Sequence, residues 1–300
     1  MKVLVVGLGN QGQKRIKLLK KNELAFTVDN KKIADYRNIK DVPKREYDTV
    51  FICVPEKEKL KIINFCIKNS KNILVEKPLS IVNHKNFIRI ERELKKKNII
   101  LYTAYNLRFE PSIIMLKRYI DRKFFGKIYY CRMFYGNGTA INVRLKKWRD
   151  RGNGVLSDLG SHLLDLSIFL FNYKKLKKVD IFKNRFENTA PDFSILRAKT
   201  KSFNLELVSS FCSWKNTFNI EIVGKKGSAK IDSLSKWGKS TLKIYKRKFP
   251  SGLPRKKIIN FNKGDSTFNS EQFFFSKLIK KNKVNLNRDK LINKYILNFK

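Results

Sequence analysis

The chain has 300 residues, with 67 Lys and Arg against 25 Asp and Glu, which gives a formal net charge of +42. A chain of this length predicts two domains, each large enough to bury its own core. The 42% hydrophobic fraction excludes wholesale disorder. No apolar run approaches the roughly 18 residues that would indicate a membrane span. The four cysteines lie far apart without a Cys-x-x-Cys pair, which argues against a disulfide framework or a zinc site. We therefore expect a cytoplasmic protein with no metal and no membrane partner.

The excess of positive charge has two interpretations, a nucleic-acid or membrane-surface binder and a solvated basic surface. Basic residues are scattered over the whole chain, and the longest runs are Lys95–Lys97, Lys246–Lys248 and Arg255–Lys257. This distribution favours the solvated surface, so we predict no specific nucleic-acid partner. A basic cleft would still steer anionic ligands towards itself.

In the first third of the chain, apolar runs alternate with amphipathic stretches. This alternation predicts an α/β fold with a doubly wound parallel sheet and right-handed crossovers. The link after Asp29 has only a weak helical signal, so the second crossover helix is expected to be short or absent. Strands are predicted over 3–6, 24–28, 49–54, 73–75 and 99–104, and helices over 13–21, 60–67 and 83–97.

From about Gly126 the pattern changes to short segments in which apolar and polar residues alternate. Such alternation predicts an open, mainly antiparallel sheet with one solvated face. A helix is predicted between its first two strands, at Leu156–Phe171, and helical spacing returns over 270–280 and 288–299. The predicted strands cover 127–135, 178–186, 193–200, 205–213, 217–223, 229–232 and 241–246.

A glycine loop, Gly7-x-Gly9-x-x-Gly12, follows the first predicted strand and precedes a helix. The first glycine permits a tight turn, the second lets a pyrophosphate approach the backbone, and the third lets the helix pack close to the strand. Asp29 ends the second strand at the distance expected for a ribose-binding acid. A carboxylate there favours NAD, whereas Lys31–Lys32 leave NADP as the alternative.

Three further side chains are candidates for proton and charge chemistry. Lys77 lies in Glu76-Lys77-Pro78 at the carboxyl end of the fourth strand, where ligands bind in parallel sheets. Asp158 and His162 are four residues apart on a helix and are expected to share a face, which suits a general base. Taken singly, each candidate also has an ordinary structural explanation. Lys77 could be a surface lysine, and Asp158 could cap a helix in which His162 is a satisfied partner. The other histidine is His84, so a His-rich metal site is excluded.

The motifs together resemble the Gfo/Idh/MocA family of nicotinamide-dependent sugar and cyclitol oxidoreductases. In chain order they are the glycine loop, Glu76-Lys77-Pro78, Tyr105-Asn106-x-Arg108-Phe109-x-Pro111, Trp148-Arg149, Gly154-x-x-x-Asp158-x-Gly160-x-His162-x-x-Asp165 and Ile222-Val223-Gly224-x-x-Gly227-Ser228-Ala229. The resemblance implies a Rossmann domain over 1–118 and a substrate-binding α/β domain over 119–269. It also implies that helices in 270–300 pack on the first domain, and that the open sheet forms a homodimer or homotetramer.

The family resemblance further implies hydride transfer between NAD, or NADP, and a secondary alcohol or ketone of a sugar, cyclitol or nucleotide-linked sugar. The alternative is a non-catalytic NAD-binding regulatory or sensing protein. Two departures from the family pattern are Glu56–Lys59, where a histidine is often found, and Gly152-Asn153-Gly154 in place of three glycines. The implied catalytic residues are Lys77, Asp158 and His162, and the implied substrate-binding residues are Lys77, Asn106, Arg108, Asp158 and His162. The implied cofactor-binding residues are Gly7, Leu8, Gly9, Asn10, Gln11, Gly12, Asp29, Val54, Pro55, Glu76, Lys77, Trp148 and Arg149.

Overall fold

The computed structural model describes residues 1–81, 84–262, 264–281 and 284–297. Its contacts divide the chain into two compact units, Met1–Asn106 with Phe268–Asn293, and Leu107–Thr267 with Lys294–Lys300. The first stretch ends at Asn106 and not at the predicted residue 118, because the helix Pro111–Asp121 packs on strands of the second unit.

The first unit contains a five-stranded parallel sheet in the order β2-β1-β3-β4-β5, which confirms the predicted doubly wound architecture. The link between β2 and β3 holds a short 3-10 turn at Ile39–Asp41, as expected. The strands are β1 (Val3–Val6), β2 (Leu24–Val28), β3 (Thr49–Ile52), β4 (Asn72–Glu76) and β5 (Leu101–Ala104). The helices that follow β1, β3 and β4 are α1 (Asn10–Lys17), α2 (Glu56–Lys68) and α3 (His84–Lys96). Asn83, the predicted start of the third helix, lies outside the described residues.

Both faces of this sheet are covered, because successive strand residues point to opposite sides. Leu4 packs in one apolar cluster, which includes Ile63 of α2. Val3 and Val5 pack in the other, together with Phe275 of the helix Thr267–Lys281. The four residues of β1 are buried, so the strand that leads into the glycine loop is fixed from both sides.

The second unit contains an eight-stranded mixed sheet in the order β13-β12-β11-β10-β6-β9-β8-β7. Strands β6 and β9 pair in parallel and the remaining neighbours pair antiparallel, as predicted for the second domain. The edge strand β13 was not predicted, because it begins with three basic residues and is largely exposed. The strands are β6 (Ile128–Gly136), β7 (Lys177–Asn184), β8 (Phe193–Lys199), β9 (Asn204–Ser210), β10 (Thr217–Gly224), β11 (Gly227–Asp232), β12 (Ser240–Lys246) and β13 (Arg255–Phe261).

Helices cover one face of this sheet, where Cys131 and Met133 of β6 are buried, while Arg132 between them is exposed on the other face. No helix among the residues that the structure describes has both the length and the apolar character to cross a membrane. Residues 298 and 299 of the last predicted helix lie outside the described residues. The remaining helices are α4 (Pro111–Asp121), α5 (Ala140–Arg144), α6 (Ser161–Phe171), α7 (Thr267–Lys281) and α8 (Asn287–Ile292). Short 3-10 segments lie at Asn106–Phe109 and Ser235–Trp237, and π-helical segments at Leu156–Gly160 and Asn293–Leu297.

Candidate active site

The three loop glycines differ in what surrounds them. Gly7 has a φ of +95°, and a Cβ there would lie 2.7 Å from the carbonyl oxygen of Cys53. A Cβ at Gly12 would lie 2.0 Å from the carbonyl oxygen of Gly7. A Cβ at Gly9 would meet nothing within 4 Å. Glycine is therefore required at 7 and 12 by the fold itself, whereas at 9 it leaves the backbone open to a ligand.

This open backbone lies at the N-terminus of α1, which begins at Asn10 directly after Gly9. The first turn of a helix presents unpaired N–H groups and the positive end of the helix dipole. It carries no acidic side chain here. The loop therefore fits the pyrophosphate of a dinucleotide, which Leu8, Gly9, Asn10, Gln11 and Gly12 would hold through their backbone.

Asp29 connects the end of β2 to the glycine loop. Its carboxylate accepts hydrogen bonds from the backbone N–H groups of Leu8 at 2.7 Å, Lys31 at 2.8 Å and Lys32 at 2.9 Å. Burial alone would raise the pKa of Asp29, but these hydrogen bonds hold it below its ordinary value. A carboxylate offers about four acceptor positions, so one remains for a ribose hydroxyl. The Lys32 ammonium donates to the carbonyl oxygen of Leu8 at 2.8 Å.

The segment that carries Lys77 begins where β4 ends. The Glu76 carboxylate accepts from Nε of Arg15 at 2.9 Å, and Nη2 of Arg15 donates to Glu271 at 2.6 Å. Lys77 itself is half-buried, and the Lys77–Pro78 peptide is cis. The other two cofactor candidates of the first unit, at positions 54 and 55, lie where β3 leads into α2.

In the second unit, Asp158 and His162 lie on one continuous helical run, but the segment Leu156–Gly160 near its start is π-helical. The π turn changes the angular spacing on which the expectation of a shared α-helical face relied. Asp158 accepts a hydrogen bond from Nη2 of Arg149 at 2.9 Å. Gly154 fixes the entry to this run, since a Cβ there would lie 2.1 Å from the carbonyl oxygen of Pro191.

Arg108 forms a close two-point pair with Asp165, in which Nε donates to Oδ2 at 2.7 Å and Nη2 donates to Oδ1. Asp165 is 1% exposed, so this pair holds α6 to the segment that precedes α4. Asn106 is buried in the first unit, whereas Trp148 is 55% exposed.

Two residues near His162 were missed by sequence reasoning. The Tyr135 ring lies 6.0 Å from the His162 ring, between centroids, and the Lys236 ammonium donates to the Tyr135 hydroxyl at 3.0 Å. Lys236 lies on a 3-10 turn that buried Glu110 fixes by accepting from the backbone N–H of Ser235 at 3.1 Å. The alternation in β6 identifies Tyr135 as inward-facing, but nothing in the sequence distinguishes Lys236 from the other lysines.

The carboxylates of this helical run are paired with arginines. Within the described residues, no three His, Cys, Asp or Glu side chains are grouped so that they could share a metal ion. Asp158 and Asp165 each have an arginine partner, at 2.9 Å and in the two-point pair described above. His162 is 8% exposed and is therefore poorly solvated, which suits a group that exchanges a proton with a bound ligand.

Comparison with known proteins gives matches over both units. The sequence profile for the NAD-binding Rossmann fold of the Gfo/Idh/MocA oxidoreductases matches residues 1–105, and that for their C-terminal α/β domain matches residues 117–264. The first unit is therefore an NAD-binding Rossmann domain of this family.

Among curated proteins, levoglucosan dehydrogenase of Pseudarthrobacter phenanthrenivorans is 28% identical over 46% of this chain and 36% of its own length. Glucose-6-phosphate 3-dehydrogenase of Bacillus subtilis is 27% identical over 54% of this chain and 53% of its own length. The chain thus spans about a third to a half of these relatives. Among solved structures, UDP-N-acetylglucosamine 3-dehydrogenase of Acidithiobacillus ferrooxidans has a TM-score of 0.79 at 16% identity, covering 98% of this chain and 95% of that one, which shows a shared fold.

Proposed function

Since the chain belongs to the Gfo/Idh/MocA oxidoreductase family, we propose that it transfers a hydride between NAD(P) and a secondary alcohol or ketone of a sugar, cyclitol or nucleotide-linked sugar. The observation that carries this proposal is the open backbone at Gly9, at the start of α1 and beside Asp29. The names of the relatives support the substrate class, because levoglucosan and glucose 6-phosphate are both carbohydrates.

The backbone of the glycine loop would hold the pyrophosphate, and the remaining acceptor position of Asp29 would bind a ribose hydroxyl. The bound nicotinamide supplies the hydride acceptor or donor at its ring. NAD is favoured over NADP, because the Asp29 carboxylate repels a 2′-phosphate while the Lys32 ammonium is already directed to Leu8. The residues at 54, 55, 76, 148 and 149 complete the proposed cofactor contacts.

His162 is the proposed general base, which takes the proton of the reacting hydroxyl when the alcohol is oxidised. Such a base contributes about 10²–10⁴-fold to the rate. Asp158 orients His162 or binds a neighbouring substrate hydroxyl, and Arg149 holds the Asp158 carboxylate in place at 2.9 Å. The Lys77 ammonium would stabilise the alkoxide charge that develops as the proton leaves.

The remaining substrate contacts are proposed for Asn106, Arg108, Tyr135 and Lys236. The Lys236 ammonium donates to the Tyr135 hydroxyl, and since an ammonium has three N–H donors, it could also donate to an anionic group near His162. Arg108 acts mainly through Asp165, since its guanidinium is bound in the two-point pair. With a net charge of +42, steering favours a phosphorylated or nucleotide-linked sugar over a neutral one.

The exposed face of the eight-stranded sheet is the proposed subunit interface of a cytoplasmic homodimer or homotetramer. The side chains on this face carry charges of both signs and include one aromatic ring. They include Arg132, Phe134, Glu206 and Glu221. Glu206 of β9 accepts from Arg132 of β6 at 3.1 Å and from Arg197 of β8 at 2.9 Å, so ion pairs link three neighbouring strands on this face. Light scattering of the wild type and of Phe134→Glu tests this interface by measuring the mass of the assembly. The variant is expected to form a smaller assembly.

The proposed function is tested with a panel of free sugars, sugar phosphates, cyclitols and nucleotide sugars. Each compound is assayed with NAD and with NADP, and turnover is followed at the nicotinamide absorbance. At least one sugar-like alcohol is expected to reduce NAD, with lower efficiency for NADP. Tight NADH binding without turnover of any panel member would favour the sensing protein instead. Absence of NADH binding would overturn both.

A further inference from the structure

The segment Glu76–Pro78 is anchored by a buried lysine of α2. Lys59 is 3% exposed. Its ammonium donates to the backbone carbonyl oxygens of Glu76 at 2.6 Å, Pro78 at 2.9 Å and Lys77 at 3.3 Å. Since an ammonium has three N–H donors and no acceptor, these three consecutive carbonyls match its whole donor set.

The carbonyls belong to the point where β4 ends and the chain leaves the sheet. A carbonyl buried away from water needs a donor, and successive carbonyls that face one point need a group that donates in several directions. A lysine ammonium does this and an apolar side chain does not. The backbone around Lys77 is therefore fixed by a side chain that lies 17 to 19 residues away in sequence.

Burial of this ammonium has an energetic cost, because a low-dielectric environment disfavours charge. Burial lowers the pKa of Lys59 to about 8. The carboxylates of Glu56 and Glu76 oppose this shift and the Lys77 ammonium adds to it, while the Cys53 thiol also lies near the Lys59 ammonium. An apolar side chain of similar size would fill the same space at lower cost. What it could not do is hold the three carbonyls.

The same segment is held from a second side. Arg15 of α1 donates to the Glu76 carboxylate at 2.9 Å and to Glu271 of α7 at 2.6 Å. Arg15 and Glu271 are both 0% exposed, so this pair lies in the interior of the first unit. Glu76 is thus bound by its carbonyl to α2 and by its carboxylate to α1, the helix that follows the glycine loop.

We propose that Lys59 is a positioning residue, whose ammonium fixes the backbone of residues 76–78 and through it the side chain of Lys77. This rests on the proposed function, in which Lys77 stabilises the developing alkoxide. Displacement of a reacting group by about 1 Å costs on the order of a hundredfold in rate, so loss of the anchor should reduce turnover.

The test compares Lys59→Met with Lys61→Met, an exposed lysine on the same helix. Lys59→Met should speed amide hydrogen exchange at Leu79 and Ser80 by at least about tenfold. It should lower kcat by about 30–100-fold, while the Kd for NADH changes by less than about threefold. Lys61→Met should leave all three quantities unchanged. Lys59→Arg, which keeps a cation with several donors, should recover part of the lost kcat, and serves also if the methionine variant does not fold.

Unchanged exchange at 79–80 in Lys59→Met would overturn the proposal, and so would faster exchange with an unchanged kcat. A loss of NADH affinity as large as the loss of kcat would reduce Lys59 to a general structural role and overturn it too. If the wild-type protein turns over no member of the panel, the proposed function fails, and the exchange measurement alone decides whether Lys59 anchors the segment.

Discussion

Replacing Gly9 by alanine should separate cofactor binding from folding. Gly9 has φ −70° and ψ −173°, which alanine adopts without strain. The added methyl carbon meets no atom of the chain within 4 Å. Alanine is a poorer N-cap than glycine by up to about 1 kcal/mol, but it reduces the freedom of the unfolded chain, which stabilises by about 0.4–1 kcal/mol. The two contributions nearly cancel, so the free energy of unfolding should change by less than about 0.5 kcal/mol.

NADH binding, in contrast, should weaken strongly in the Gly9→Ala variant. The methyl group would occupy the space through which a pyrophosphate approaches the first N–H groups of α1. Loss of two hydrogen bonds to a charged group, at about 1.5 kcal/mol each, amounts to about 3 kcal/mol or roughly a hundredfold in Kd. Titration calorimetry with NADH and urea unfolding of the same preparations measure the two quantities.

The control is Gly12→Ala, whose Cβ would lie 2.0 Å from the carbonyl oxygen of Gly7. That contact requires the loop to shift, so the control should lose about 1–3 kcal/mol of stability as well as affinity. If Gly9→Ala binds NADH as tightly as the wild-type chain, the pyrophosphate does not approach the backbone at this residue, and Gly9 has no part in cofactor binding.

Four further changes have definite expected outcomes. Lys77→Met should abolish turnover while leaving NADH affinity nearly unchanged in calorimetry, and near wild-type kinetics would remove Lys77 from the mechanism. Asp165→Asn should lower the free energy of unfolding by about 3 kcal/mol, since it breaks a buried pair, whereas Asp121→Asn, in an exposed pair, should lower it by less than about 1 kcal/mol in the same urea titrations. Burial lowers the pKa of Lys59 to about 8 from 10.5 in the unfolded chain. The unfolded chain therefore holds more protons between these two values, and this group makes stability rise with pH there. A stability difference between wild type and Lys59→Met that stays flat from about pH 7.5 to 10 would contradict this. Lys236→Met should raise KM for an anionic sugar without altering the Kd for NADH, and an unchanged KM would exclude Lys236 as a substrate contact.

The fold was largely predictable because its signals are local. The β-branched run at Val3–Val6 and the alternation in β6 are read within a few residues, and both strands appear where they were expected. The family resemblance is likewise confirmed by the profile matches over both units. Strand β13 was missed because its charged, exposed residues pair at the edge and bury little apolar surface. Helix α4 was not predicted, and it begins at Pro111, the last residue of a motif to which no secondary structure was assigned.

The glycines of the candidate site were predictable because each meets a local steric requirement. Gly7 and Gly12 are required by atoms a few residues away or in the adjoining strand, so the loop motif describes them fully. The anchors of the site are different, because Arg15 meets Glu271 at a separation of 256 residues and Lys59 meets the carbonyls after β4. In a chain with 67 Lys and Arg, neither cation is distinguishable by type or spacing. Only the folded backbone selects them.

The extreme charge of the chain is a property of its surface, and the interior is ordinary by comparison. Arg15 and Lys59 are the buried members among the lysines and arginines that the structure describes. Six carboxylates are buried in the same part of the chain, and they outnumber these cations although the whole sequence has far fewer acidic than basic residues. Asp192, for example, is 0% exposed and accepts from the backbone N–H groups of residues 186, 187 and 188. A buried carboxylate that lost such donors would be strongly destabilising. Excess surface cations carry no comparable penalty, and their field would attract an anionic pyrophosphate towards the loop proposed to bind it. The composition can therefore be extreme while the sheet and the glycine loop remain those of the Gfo/Idh/MocA family.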